Sequence, residues 1–201
     1  MIVNKAIFVK SSAWVEECPK PDMPEYAFIG RSNVGKSSLI NKLANQTKLA
    51  KTSSTPGKTQ LINHFMINDS WYLVDLPGYG FARMPKKEKA KMEKMINNYL
   101  SKRNNLMNIY VLIDSRHDPL DIDLQFMENL AENGLAFSIV FTKADKGKAK
   151  KVQIQIEKYK EELLKYWEEL PPIFVTSAET AEGITDLLGE IKQINTLFKP
   201  L

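Results

Sequence analysis

Apolar runs of strand length alternate along this chain with longer stretches in which apolar residues recur every three or four positions, the pattern of a parallel sheet with crossover helices. Strands are predicted at Ala6 to Lys10, Tyr26 to Ile29, Leu61 to Ile67, Trp71 to Asp75, Ile109 to Asp114, Phe137 to Phe141 and Ile173 to Thr176. The first of these reads equally well as an extended tail. Only Asn68-Asp69-Ser70 separates the third from the fourth, too short for a crossover, so those two should pair as an antiparallel hairpin. Helices are predicted at Lys36 to Asn45, Lys86 to Arg103, Asp121 to Asn133, Lys148 to Glu169 and Ile184 to Leu197. Pro85 can open the second, Gly134 can end the third, and Pro171-Pro172 stops the fourth. The expectation is an α/β fold: a mostly parallel six-stranded sheet with one antiparallel edge strand and helices on both faces. Met92, Met95, Ile96 and Tyr99 have the spacing of a buried helix stripe, and Trp14, Trp71 and Trp167 are read as packing against the sheet.

Composition narrows the class. A chain of 201 residues with 43% hydrophobic content can bury one substantial core, so we expect a single domain at 23–201 preceded by an N-terminal extension at 1–22. Apolar runs fall far short of the roughly 18 residues that span a bilayer, and Met1 to Lys5 has no signal-peptide character. A cytoplasmic monomer without a membrane span is expected. Cys18 is the only cysteine, which excludes an internal disulfide and a cysteine-cluster metal site. His64 and His117 lack a partner at metal-ligand spacing and are assigned structural roles. Lys plus Arg number 28 against 24 Asp plus Glu, and the excess is concentrated. Five lysines against two acids lie between Pro85 and Lys94, and five against one aspartate between Lys143 and Lys151. These are either solvated helix faces or surfaces that meet RNA phosphates.

The candidate chemistry starts at Gly30-Arg31-Ser32-Asn33-Val34-Gly35-Lys36-Ser37, between a predicted strand and a predicted helix. Glycines let successive N–H groups face one point, Lys36 brings a cation there, Ser37 offers a hydroxyl to Mg²⁺, and the helix dipole favours phosphate. Asp75-Leu76-Pro77-Gly78 ends a later strand, where Asp75 can reach the same Mg²⁺ through water and the Gly78 N–H can touch a γ-phosphate. The polar stretch from Lys51 to Gln60 lies between these elements. Thr59, or less favourably Thr55, could complete the Mg²⁺ shell there. Asp145, in Thr142-Lys143-Ala144-Asp145, can accept the paired donors of a guanine edge. Lys143 could lay its stem on the base, and Thr176-Ser177-Ala178 could offer an N–H to the guanine oxygen.

With these motifs in this order, the chain resembles GTPases of the translation-factor class and, among them, the EngB (YihA/YsxC) family of ribosome-biogenesis GTPases, over nearly its whole length. The resemblance implies a P-loop G domain that binds GTP and GDP. It implies phosphate binding by Gly30 to Ser37, Mg²⁺ binding by Ser37 and Thr59, and a first switch of Gly57, Lys58, Thr59, Gln60 and Leu61. It also implies γ-phosphate sensing by Asp75, Leu76, Pro77 and Gly78, guanine binding by Thr142, Lys143, Ala144 and Asp145, and a base pocket completed by Thr176, Ser177 and Ala178. The implied role is assembly of the large ribosomal subunit, with a requirement in normal cell division and septation.

Departures from the general GTPase pattern bear on mechanism. Thr142 stands where many GTPases carry asparagine, and Tyr79 where a glutamine orients the attacking water, so modest affinity and slow hydrolysis are expected. Lys36, Thr59 and Gly78 are then the groups that close around the triphosphate. Arg31, Arg83, Arg103 and Arg116 are read as surface arginines, with none assignable as an arginine finger. Asn33 is a candidate K⁺ ligand that would place positive charge where an arginine finger acts. A P-loop ATPase or small-molecule kinase is the rival enzyme, and an RNA-binding assembly module with structural nucleotide is the rival of another class. If the site reads guanine, excess GTP will displace labelled GDP and excess ATP will not. Equal displacement by ATP would remove the guanine assignment.

Overall fold

The computed structural model describes residues 1–50, 61–80 and 84–200. Among these the strands are β1 (Ala6–Ser12), β2 (Glu25–Gly30), β3 (Ile62–Ile67), β4 (Trp71–Asp75), β5 (Leu106–Asp114), β6 (Phe137–Thr142) and β7 (Ile173–Val175). The helices are α1 (Lys36–Leu43), α2 (Lys86–Lys102), α3 (Asp121–Glu132), α4 (Ala149–Leu163) and α5 (Ile184–Asn195). The strands form one sheet in the order β1-β3-β4-β2-β5-β6-β7.

Strand alternation sorts the core into two layers. Ala27, Ile29, Ile109, Val111, Ile113, Ile139 and Phe141 point toward α2, α3 and α4. Their neighbours Tyr26, Phe28, Tyr110, Leu112 and Val140 point toward α1 and α5. Because β2, β5 and β6 are covered on both faces, they read in the sequence as unbroken apolar runs instead of alternating ones. β2 is parallel to β4 and β5, and β5, β6 and β7 continue in parallel, so the strands end together along one rim.

The antiparallel part differs from expectation. Seven strands are present in place of six, because residues in the expected extension enter the sheet: β1 pairs antiparallel with β3, and β3 with β4. The antiparallel strand β3 is therefore internal, and β1 forms the edge. Asn68 and Asp69 turn the β3–β4 hairpin with φ of 50° and 53°, the left-handed pair required by a tight hairpin that follows strand twist. The Asn68 side chain accepts from the N–H groups of Asn4 at 2.9 Å and Lys5 at 3.1 Å and donates to the Ile2 carbonyl at 2.8 Å. That clasp fixes the start of β1, which amphipathic patterning alone did not determine.

Further corrections concern α4 and single residues. α4 ends at Leu163 instead of Glu169, because Trp167 turns back to meet Phe137 edge-on at 5.7 Å while Tyr166 is left 72% exposed. Trp71 is buried against Tyr26, but Trp14 is 41% exposed and does not pack into the sheet as expected. Arg103 is no surface arginine. At the start of β2 the fully buried Glu25 accepts hydrogen bonds from Arg103 Nε at 2.9 Å, Arg103 Nη2 at 2.5 Å and the Tyr99 hydroxyl at 2.7 Å, and His64 Nε2 lies 3.2 Å from it. Arg103 also donates to the Pro19 carbonyl at 2.6 Å, tying the proline-rich lead-in to α2.

Burial by itself would raise the Glu25 pKa, but the Arg103 hydrogen bonds and the adjoining His64 outweigh it and hold the carboxyl at about 2, against 4.5 unperturbed. A depressed carboxyl pKa contributes stability above its unfolded value and loses that contribution as pH falls. Unfolding free energy should therefore drop by about 3 kcal/mol between pH 4.5 and pH 2 through this group. Glu25→Gln strands the Arg103 charge and should cost about 3–5 kcal/mol at neutral pH, while flattening that acid limb in urea denaturation.

Candidate functional site

The parallel strands deliver Gly30, Asp75, Asp114 and Thr142 to one rim, the edge where open α/β sheets gather ligands. At the end of β2 a Cβ on Gly30 would lie 2.7 Å from the Leu112 carbonyl oxygen, so only glycine allows this approach to β5. The chain then turns through Asn33 at φ 63° and Gly35 at φ 102°, with Val34 anchored in the core and its N–H donated to Arg31 at 3.3 Å. Gly35 leads into α1, whose first residue Lys36 is buried and in contact with the buried carboxylate of Asp75. Ser37 follows in the first turn. Lys36 and the strand-end Asp75 thus meet at the N-terminus of α1, with Ser37 the next residue of the helix. Leu76 is held by its N–H to the Phe28 carbonyl at 3.1 Å, and Pro77 and Gly78 are buried behind Asp75.

The loop is braced from β6. The Thr142 hydroxyl lies 2.5 Å from the Val34 carbonyl and 3.2 Å from that of Ile113. The Thr142 hydroxyl is thus set against two carbonyls, one in the loop and one in β5. Lys143, itself left-handed at φ 59°, donates from Nζ to the Asn33 carbonyl at 2.5 Å and to Asp114 Oδ2 at 2.9 Å. Its stem crosses Gly35, where an added Cβ would sit 3.4 Å from Lys143 Cε. The lysine expected to cover a base is thus also a strut across the P-loop.

Asp114, which the sequence reading did not single out, organises this strut. Arg116 grips it in bidentate fashion at 2.8 and 2.7 Å, so Arg116 too is an ion-pairing residue and not merely a surface arginine. Burial acts to raise the Asp114 pKa, but hydrogen bonds from Arg116 and Lys143 dominate and hold it well below the usual carboxylate range. Its signal was positional: an acid at the carboxyl end of a central parallel strand.

Beyond Lys143 the chain passes Ala144, whose N–H meets the Thr176 carbonyl at 3.2 Å, and reaches Asp145. The Ser177 hydroxyl donates to Asp145 Oδ1 at 2.6 Å and accepts from the Thr180 N–H at 3.1 Å. Hydrogen bonds from Ser177 and then Lys146 lower the Asp145 pKa. Each carboxylate oxygen has a second lone pair, so the group can still receive two donors from a base. Thr176, buried, returns both its N–H and its hydroxyl to the Phe141 carbonyl, which sets Ala178 beside the Asp145 loop.

Tyr79 does not point its phenol at the phosphate loop. The hydroxyl donates to Asp123 Oδ1 at 2.8 Å, and the ring stacks on Phe126 with centroids 4.3 Å apart. Burial, reinforced by the Asp123 charge, pushes the phenol pKa well up. Asp123 is buried on α3 and receives Tyr159 on its other oxygen at 3.3 Å; burial raises its pKa too. Asp123 was invisible to motif reading because it sits inside an ordinary helix start. Thr55, Gly57, Lys58, Thr59, Gln60 and Arg83 lie outside the described residues, while Leu61, just before β3, is 40% exposed.

A mostly parallel sheet with a phosphate loop after a central strand, an acid on the neighbouring strand facing the loop lysine, and a Thr-Lys-Ala-Asp turn locked to Ser177 defines a P-loop GTPase. Comparison with known proteins agrees. The family model described as 50S ribosome-binding GTPase matches residues 25–143. A "Probable GTP-binding protein EngB" of Phocaeicola vulgatus is 56% identical over 199 residues, covering 99% of this chain and 100% of that protein. The protein of the same description from Bacteroides fragilis is 56% identical over 195 residues, with 97% of each chain covered. A crystal structure of a probable GTP-binding protein engB aligns with a TM-score of 0.69 at 24% identity, covering 87% of this chain and 100% of that one. The chain belongs to the EngB family of GTP-binding proteins.

Thr142→Val deletes the donor to the Val34 carbonyl while keeping shape. It should cost about 1–3 kcal/mol of loop order, read as a GDP affinity lower by about tenfold to a hundredfold in calorimetric titration.

Proposed function

We propose that this GTPase is a slow, Mg²⁺-dependent nucleotide switch in assembly of the large ribosomal subunit, acting in the cytoplasm, and that cells lacking it fail in normal division and septation. The observation that carries the reading is the contact of Lys36 with Asp75 at the head of α1, beside a base turn whose Asp145 is held by Ser177. The ribosomal part is supported by the description of the matching family.

In this reading Gly30, Arg31, Ser32, Asn33, Val34, Gly35, Lys36 and Ser37 bind the phosphates, and Asp145 with Ser177 and Ala178 reads guanine. The donors near Lys36 are hard oxygens, the Ser37 hydroxyl and the Asp75 carboxylate, which is the ligand type Mg²⁺ takes. Ser37 and Thr59 would hold the ion directly, with Asp75 acting through water. Bound Mg²⁺ would spread the charge that develops on the phosphates. Lys36 adds a fixed cation, and the Gly78 N–H faces the γ-phosphate. No side chain acts as general base on the attacking water: the phenol of Tyr79 is committed to Asp123. That commitment is the physical reason to expect slow turnover.

Co-sedimentation with large subunits and their precursors, in GDP and in a non-hydrolysable GTP analogue, tests the switch. Stronger binding in the triphosphate state is expected, and equal binding in both would reject it. A K⁺ ion near Asn33 would supply positive charge where an arginine finger acts. GTP turnover on the ribosome should then be faster in K⁺ than in Na⁺ buffer, and equal rates would remove K⁺ from the mechanism.

A further inference from the structure

Both lysine-rich stretches lie on the α2–α3–α4 side of the sheet, yet their surroundings differ. α4 presents Lys148, Lys150 and Lys151 at its start, beside the base turn. α2 presents exposed Lys87, Lys91 and Lys94, spaced by four and three residues and therefore on one helical face. Among the described residues, the ion pairs of α2 engage Lys89 with Glu93 and Lys102 with Glu16, leaving those three lysines without a carboxylate partner. Next to this face a cleft of about 860 Å³ runs between α2 and the β1–β3 edge, lined by Phe8, Trp14, Phe65, Met92, Lys91 and Glu88, among others.

The aromatic groups here are set in place and outward-facing. Phe8 is 53% exposed and Trp14 is 41% exposed. Trp14 is fixed by a 3₁₀ turn at Val15–Glu17, in which the Glu17 carboxylate accepts from the N–H groups of Ala13 at 2.9 Å and Trp14 at 3.3 Å. Lys91 Nζ lies 6.0 Å from the Trp14 ring centre. One flat π surface beside a cation, Trp14 with Lys91, a second exposed ring at Phe8 in the same cleft, and Lys87 and Lys94 on the adjoining helix face match a ligand that alternates planar bases with phosphates. Duplex nucleic acid hides its base faces, so the fit is to a single strand.

We propose that the cleft between α2 and the β1 edge binds single-stranded RNA, with Trp14 and Phe8 as stacking platforms and Lys87, Lys91 and Lys94 as phosphate contacts. The proposal rests on the ribosomal reading above for the source of that RNA. It assigns the α2 stretch to RNA and leaves the α4 stretch as a solvated face. Asp75 also lines the cleft, so RNA seated there lies against the acid that faces Lys36.

The test uses the full chain as wild type, as Lys87→Gln/Lys91→Gln/Lys94→Gln, as Lys148→Gln/Lys150→Gln/Lys151→Gln, and as Trp14→Leu. Each is titrated against a fluorescein-labelled, mixed-sequence 12-nucleotide RNA across a salt series, with GDP affinity as the control for folding. The α2 triple variant should bind RNA about tenfold or more weakly and lower the log–log salt slope by about 2, since each single-strand phosphate contact contributes about 0.7. Trp14→Leu should weaken binding with little change in salt slope, and the α4 variant should match wild type. Absence of wild-type RNA binding, undiminished binding by the α2 variant, or wild-type binding to phosphatidylglycerol vesicles in place of RNA would overturn the proposal. Large-subunit co-sedimentation separates the two readings. If wild type and the α2 variant sediment equally, the cleft assignment falls and the ribosomal reading stands. If wild type binds RNA through α2 but never sediments with subunits, the ribosomal reading falls alone.

Discussion

A phosphate loop works by turning its N–H groups inward, and this obliges its carbonyls to point outward and find donors elsewhere. Here the donors come from the end of β6: the Thr142 hydroxyl serves Val34, and the Lys143 ammonium serves Asn33. Those adjacent residues lead directly into Asp145 and the turn it shares with Ser177. The loop proposed to bind phosphate and the turn proposed to read the base are thus one braced unit and not two motifs that happen to be close. Asp114, charged because Arg116 and Lys143 hold it so, anchors the strut from β5. Removing the Thr142 hydroxyl would take the donor from the Val34 carbonyl at a buried site, and that penalty holds the geometry in place.

The same sheet is secured differently at its other rim. Glu25 opens β2 and is locked to Arg103 and Tyr99, so the strand that ends in the phosphate loop begins in a buried ion pair. The lead-in at Pro19 and the edge at His64 join that cluster. Polar networks at both ends of one central strand fix its register, which apolar packing along its middle would leave less determined.

Much of this was legible in the chain. Periodicity gave the strands and helices because doubly covered strands must be apolar throughout, and the phosphate, acid and base motifs were readable because their chemistry dictates spacing. What escaped has a common cause. Arg103 and Asp123 owe their roles to partners distant in sequence, and Asp114 joins its near neighbour Arg116 to the distant Lys143, a link that local sequence does not display. Trp14 was read as core from its type, but a short turn held by Glu17 keeps it outside. β1 was ambiguous because its exposed residues run consecutively without alternation, which suits a tail as well as an edge, and the Asn68 clasp fixes its start. For Tyr79 the sequence showed which group was missing; it did not show that the phenol is engaged with α3.

The strand order carries a consequence for how the protein is made. β1 and β2, the only strands in the first fifty residues of the described chain, do not pair with each other; their neighbours β3, β4 and β5 are all encoded later. During synthesis the N-terminal quarter therefore emerges with two apolar strands and no sheet to join. β1 can pair only once β3 has left the ribosome, and β2 gains its first neighbour with β4 and its second only when residue 114 or so has emerged. Apart from the local β3–β4 hairpin, a protein with this topology closes its sheet by long-range contacts, the regime in which folding is slow and the nascent chain benefits from shelter.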